Sequence, residues 1–286
     1  MRRGAALLAG ALALTAAKAL AAGIDVYALW DYGRPAESEA RFREALKTAT
    51  GDDALVLRTQ IARTYSLRRR FDEAHAELDA IAPQVAAAGD EVRVHALLER
   101  GRTLRSSGRP ADARPLFGQA VDAARRAGLE RLAADAMHMV ALVEPDTDAA
   151  IDWHRRTIAY ARAAQDPKAR GWVAPALNNL GDTLRRSRRL DEALAAFRDA
   201  EQAYAQRDPA GETVRMARWQ VANVLRLLGR LDEALAMQLD LERRNAEAGA
   251  PDGYVFEELA LLYEALGDAA RAAAYRERHR RATTPR

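Results

Sequence analysis

Seven small residues return along the chain at spacings of 36 to 43 residues: Ser38, Ala74, Ala113, Ala150, Ala193, Ala234 and Ala272. Four residues after each stand Phe42, Leu78, Phe117, His154, Phe197, Gln238 and Arg276, so the pattern fades toward the C-terminus. A three-to-four residue step keeps both positions on one helix face. A period of this size marks supersecondary units that bury their apolar faces only on neighbouring copies of themselves. The unit is most legible in Leu180-Gly181-Asp182-Thr183-Leu184-Arg185-Arg186-Ser187-Arg188-Arg189-Leu190-Asp191-Glu192-Ala193-Leu194-Ala195-Ala196-Phe197.

Punctuation agrees with this period. Gly33, Gly108, Gly229 and Gly267 each stand five residues before the small residue, where a left-handed residue lets one helix end and the next begin. The breaker runs Gln165-Asp166-Pro167, Arg207-Asp208-Pro209-Ala210-Gly211 and Gly249-Ala250-Pro251-Asp252-Gly253 fall between units. Strand signals are absent, and Ala-rich helices with few aromatics suit close backbone approach. A length of 286 residues allows two compact domains, but repeats grow linearly, and no linker offers a cut. The expected fold is all-α, a right-handed α-solenoid of about seven helix-turn-helix repeats.

These columns resemble the tetratricopeptide repeat, in which a Leu-Gly pair and an aromatic on a first helix meet an Ala and an aromatic on a second. The resemblance covers nearly everything after residue 22, and Leu177-Asn178-Asn179-Leu180-Gly181 is similar to the longer repeats of the kinesin light chain type. It implies a non-catalytic scaffold that grips a peptide or protein segment on its concave face. In tetratricopeptide domains that hold a C-terminal carboxylate, an Asn one residue before the Leu-Gly pair belongs to the clamp, and Asn179 matches it. The clamp's basic residues are not matched, since the next repeat has Met216 and Gln220 there.

Helical spacing places Thr59, Arg63 and Ser66; Leu98, Arg102 and Arg105; Asn178, Asp182 and Arg185; Trp219, Asn223 and Arg226; and Glu257, Leu261 and Glu264 on first-helix faces directed into the groove. From these and Asn179 we select Arg63, Arg102, Arg105, Asn178, Asn179, Asp182, Arg185, Trp219, Asn223 and Arg226 as the peptide-binding set. The arginines suit carboxylates, the Asn side chains suit an extended backbone, and Trp219 suits an apolar anchor. An acidic partner follows from the arginines, although an Arg-rich chain also collects arginines on merely solvated faces. The last unit reverses sign.

Enzyme signatures are not found: no Gly-x-Ser-x-Gly elbow, no phosphate loop, no His-Glu-x-x-His and no calcium loop. His138 and His154, near Glu144, Asp146 and Asp148, are the one histidine pair the repeat brings together. They read as packing residues, and neither a catalytic residue, a metal ligand nor a cofactor is assigned. The formal charge of +3 comes from Arg2, Arg3 and Lys18, and the remaining chain is balanced, which argues against nucleic acid. Arg2-Arg3, the mostly apolar run Ala5 to Ala17 and Ala19-Leu20-Ala21 have the tripartite form of a signal peptide, with an apolar run too short to span a bilayer. The chain therefore reads as residues 1–21 signal peptide and 22–286 repeat domain, exported and periplasmic; a cytoplasmic protein whose first helix is this run is the alternative. Without cysteine there is no lipoprotein anchor site and no disulfide. Two other functions stay open, a self-associating homo-oligomer and a metal-dependent hydrolase using the two histidines.

Overall fold

The computed structural model describes residues 24–284, so the expected leader, 1–21, lies outside the described residues. A 3-10 turn, Val26–Leu29, precedes fourteen helices among the described residues: α1 (Pro35–Leu46), α2 (Gly51–Leu67), α3 (Phe71–Ala87), α4 (Asp90–Ser106), α5 (Pro110–Arg126), α6 (Glu130–Val143), α7 (Thr147–Ala163), the one-turn α8 (Pro167–Arg170), α9 (Val173–Arg186), α10 (Leu190–Ala205), α11 (Glu212–Leu227), α12 (Leu231–Glu247), α13 (Gly253–Ala265) and α14 (Ala269–Thr283). The described residues hold no strand, and none of their helices is long and apolar enough to cross a membrane. The fold is the all-α helical repeat expected. Its second helices are α1, α3, α5, α7, α10, α12 and α14, and each carries one small residue of the column, buried in all seven.

The chain divides into two compact units, and the division falls inside α4, between Glu99 and Arg100, rather than in a linker. In the first unit α1 packs on α2 and α2 on α3. Its core joins Val26, Phe42, Leu57, Ile61 and Val92, with a second cluster of Ala62, Ala74, Leu78 and Ile81. In the second unit contact follows chain order from α5 through α7 to α9 and on to α14, the nearest-neighbour packing of repeats. Ile151, Leu177, Leu184, Phe197, Val221 and Leu225 fill its largest core cluster.

Size complementarity sets the local register. Twelve residues before the small residue, the first helices carry Ala62, Gly101, His138, Gly181, Ala222 and Ala260. A Cβ on Gly181 would stand 2.7 Å from the Phe197 ring, and one on Gly101 would stand 2.5 Å from the Phe117 ring. Glycine is thus what lets a phenylalanine seat at the helix crossing. Where the first helix carries Ala62, the partner shrinks to Leu78, and the two share a cluster. Repeat four has a histidine on both sides. Gln238, in the aromatic position of α12, is 0% exposed with neither amide atom hydrogen-bonded. Arg276 is exposed and pairs with Glu264, so the position is buried in the other six second helices and exposed only in α14.

The turn column is left-handed at Gly108, Gly229 and Gly267, as expected, and also at Arg69 (φ 62°) and Arg188 (φ 63°), which the sequence did not reveal. Gly33 is not left-handed. There Asp31 makes the turn instead, its carboxylate accepting from the backbone N–H of Gly33 (3.0 Å) and Arg34 (3.2 Å).

Candidate functional site

The first helices bring together side chains of the predicted binding set, but much of that set is turned inward onto the neighbouring repeat. In the first unit, Arg63 pairs with Glu99 at 3.3 Å, a carboxylate only 1% exposed, while its guanidinium lies over the rings of Trp30 and Tyr32. Gln60, one residue beyond the predicted face, accepts from the Trp30 indole at 3.0 Å and meets His95 Nδ1 at 3.2 Å. Thr59, Ser66 and Leu98, which the spacing directed into the groove, are buried. Thr59 donates back to the Val56 carbonyl at 2.6 Å.

The second unit repeats the arrangement. Arg102 pairs with buried Asp135. Glu258, 2% exposed, accepts from Asn223 at 3.0 Å and from Arg226 Nε at 2.5 Å. Asp182 accepts from Arg185 at 2.7 Å and from Arg186; burial, the largest single effect, raises its pKa, but the hydrogen bonds and charges of Arg186 and Arg185 together outweigh it and hold the carboxyl below the usual range. Asn179 donates to the Pro175 carbonyl at 3.1 Å and lies 3.5 Å from His138 Nε2, so the residue matching the carboxylate clamp faces the helix stack. Asn178 is half-buried, and its side-chain oxygen has no hydrogen-bond partner. Arg105 is exposed.

Arg63, Arg102 and Arg226, expected to meet ligand carboxylates, therefore already meet carboxylates of the chain itself. Their partners Glu99, Asp135 and Glu258 were missed. A signal existed: each acid falls 32 to 36 residues after its arginine, at the matching stretch of the next first helix. Removing one member of such a pair strands a buried charge, so these pairs hold neighbouring repeats in one register.

His138 and His154 do come together, with ring centroids 6.2 Å apart, and the Trp172 ring lies 5.2 Å from that of His138. Neither Nδ1 has a hydrogen-bond partner. Burial above all lowers both to about 4; on His138 the charge of Asp135 opposes it while Arg102 and Arg105 add to it more weakly, and on His154 His138 adds to it against a smaller opposing effect of Asp182. The nearby acids of the sequence do not join them. Glu144 pairs with Arg114, Asp146 caps α7 and Asp148 pairs with Arg189. Among the described residues no group of three potential metal ligands forms.

Open space lies at the start of the first helices of repeats six and seven. A cleft of about 1090 Å³ is bounded by α11, the loop before α13, the start of α13 and the end of α14. Met216, Trp219, Tyr254 and Glu257 line it, with Asn245 of α12 and His279 of α14. Trp219 is fixed by its indole N–H, which donates to the Tyr254 carbonyl at 3.1 Å, and it meets the Tyr254 ring edge-on at 6.2 Å. Tyr254 is itself 67% exposed. Asp252 caps α13, and His279 Nδ1 lies 2.9 Å from the Gly253 carbonyl, which ties the end of α14 to the rim. Of the predicted set, only Trp219 lines this cleft.

Comparison with known proteins fits the repeat. No curated protein matches the sequence. Among solved structures, the apo form of RapI is similar with a TM-score of 0.72 at 12% identity, over 89% of this chain and 73% of that one. BtubC (BKLC) from P. vanneervenii gives 0.58 at 16% identity, over 83% and 96%. A Podosopora anserina protein of kinesin light chain type, with nearly identical TPR-like repeats, gives 0.57 at 16% identity, over 66% and 93%. Residues 173–204 match the model of the tetratricopeptide repeat, and the chain has the fold of the proteins built from that repeat.

Proposed function

We propose that this chain is a non-catalytic scaffold that binds a peptide or protein segment on the concave face of its first helices, in the neighbourhood of Trp219. The cleft beside α11 and α13 carries the reading, because a fixed indole, an exposed tyrosine ring and the exposed Met216 side chain stand there on open space. Aromatic side chains held in place in this way supply contact area at little entropic cost and are enriched among binding hot spots. Of the arginines first assigned to the site, Arg105 is the one left exposed with no carboxylate partner among the described residues. The charge balance of residues 22–286 supports protein over nucleic acid as the partner. The leader supports export, with residues 22–286 as the mature repeat domain.

Pull-down from the host, followed by titration of the identified partner against the purified chain, tests this. Replacing Trp219 by Ala should weaken a direct partner by about 2 kcal/mol or more. A partner held equally by the parent and by Trp219→Ala places the site elsewhere. Mass that rises with concentration in sedimentation, with no partner recovered, favours self-association.

A further inference from the structure

The chemistry of the cleft between α11, α13 and α14 specifies more than an apolar partner. Three carboxylates line it, Glu212, Asp252 and Glu257, against one guanidinium, Arg215, which donates to the Ala210 carbonyl at 2.7 Å. Asp252 is engaged in capping α13, but Glu212 and Glu257 are exposed and form no ion pair among the described residues. Glu257 follows Tyr254 by three residues, so the carboxylate and the aromatic ring share one face of α13. A carboxylate beside an aromatic face is complementary to a cation carried on an apolar stem, since the ring attracts the charge and covers the methylenes.

Two amides stand in the same cleft without partners. Asn245 is 4% exposed and lines the space, yet its side chain makes no hydrogen bond among the described residues. The side-chain oxygen of Gln220 is likewise buried with no partner. The Asn245 amide presents a paired donor and acceptor, the pattern offered in return by an extended backbone. The volume is at the top of the range of small-molecule pockets and exceeds what one side chain fills.

We propose that this cleft binds an extended peptide segment in which a Lys or Arg adjoins an apolar residue: the cation at Glu257, Glu212 and Tyr254, the apolar side chain against Trp219 and Met216, and the backbone at Asn245. The proposal rests on the reading of the chain as a peptide-binding scaffold, and it reverses the acidic partner that the arginines suggested.

Selection from phage-displayed random dodecapeptides on the immobilised full chain tests it, followed by titration of the fluorescein-labelled consensus peptide. The expected consensus pairs a basic with an apolar residue. Its affinity should fall at least tenfold with Glu257→Gln, further with Glu257→Lys, and at least tenfold with Trp219→Ala. Circular dichroism of Glu257→Gln, a change at an exposed position, should match the parent and so separates lost binding from lost folding. An acidic or charge-indifferent consensus that still needs Trp219 overturns the basic specificity and leaves the scaffold standing. A consensus peptide indifferent to every cleft variant overturns the site. Selection that enriches no peptide overturns both.

Discussion

The histidine pair of repeat four gives the sharpest quantitative expectation. His138 and His154 stand where Gly101 and Phe117 stand in repeat three and Gly181 and Phe197 in repeat five. Burial lowers both imidazoles from 6.5 to about 4, so the fold takes them neutral. In the unfolded chain they take up protons as pH falls through 6.5, and in the folded chain they do so only near 4. The unfolded state thus binds more protons across this window, and stability is full above pH 6.5 and declines toward pH 4. Between pH 7 and pH 5 each histidine should remove about 2 kcal/mol and the pair about 4 kcal/mol, at about 1.4 kcal/mol per tenfold. The paired change His138→Gly with His154→Phe installs the Gly–Phe crossing found elsewhere in the chain and removes both titrations. Urea unfolding of the parent and this variant at pH 7, 6 and 5, followed by circular dichroism, measures the difference. The carboxyl of Asp182 has a lowered pKa and therefore acts at more acidic pH, outside this window. Parallel loss of stability in parent and variant between pH 7 and 5 would refute the reasoning.

Three further outcomes are expected. Gln238→Leu, which imitates Leu78 beside Ala62, should raise stability by about 1 to 3 kcal/mol in thermal or urea unfolding, because it removes a buried amide that has no partner. Arg188→Gly should stabilise by roughly 0.5 to 1 kcal/mol, since glycine takes the left-handed turn without the Cβ penalty; a destabilised variant would mean that the Arg188 side chain contributes more than its backbone costs. If the leader is a cleaved signal, the mature chain from its host should start near Ala22 and fractionate with the periplasm, whereas full-length mass in the cytosol supports the alternative.

The fold was largely legible because its determinants are local and periodic. Small residues at the crossing, glycines in the turn and breakers between units all follow from chain spacing. Arg69 and Arg188 show the limit: the turn geometry imposes a left-handed residue there whether or not the residue type announces it. The binding face was legible only as a set of helix positions. Spacing located Arg63, Arg102 and Arg226 on the right helices, but a reading within one repeat did not join them to Glu99, Asp135 and Glu258, which approach from the next repeat across 32 to 36 residues. Nor could it show that Tyr254, Asn245 and His279, from three different segments, close around Trp219. Cleft formation is a property of packing between repeats, and it has no signature within one.

Hydrogen exchange with and without the selected dodecapeptide tests most directly that the first helices of repeats six and seven form the ligand face. Binding should slow exchange in the first half of α11, in residues 250–257 and at the end of α14, and leave the α9–α10 turn unchanged. Protection centred on the second helices α10 and α12, with none at 250–257, would contradict the account.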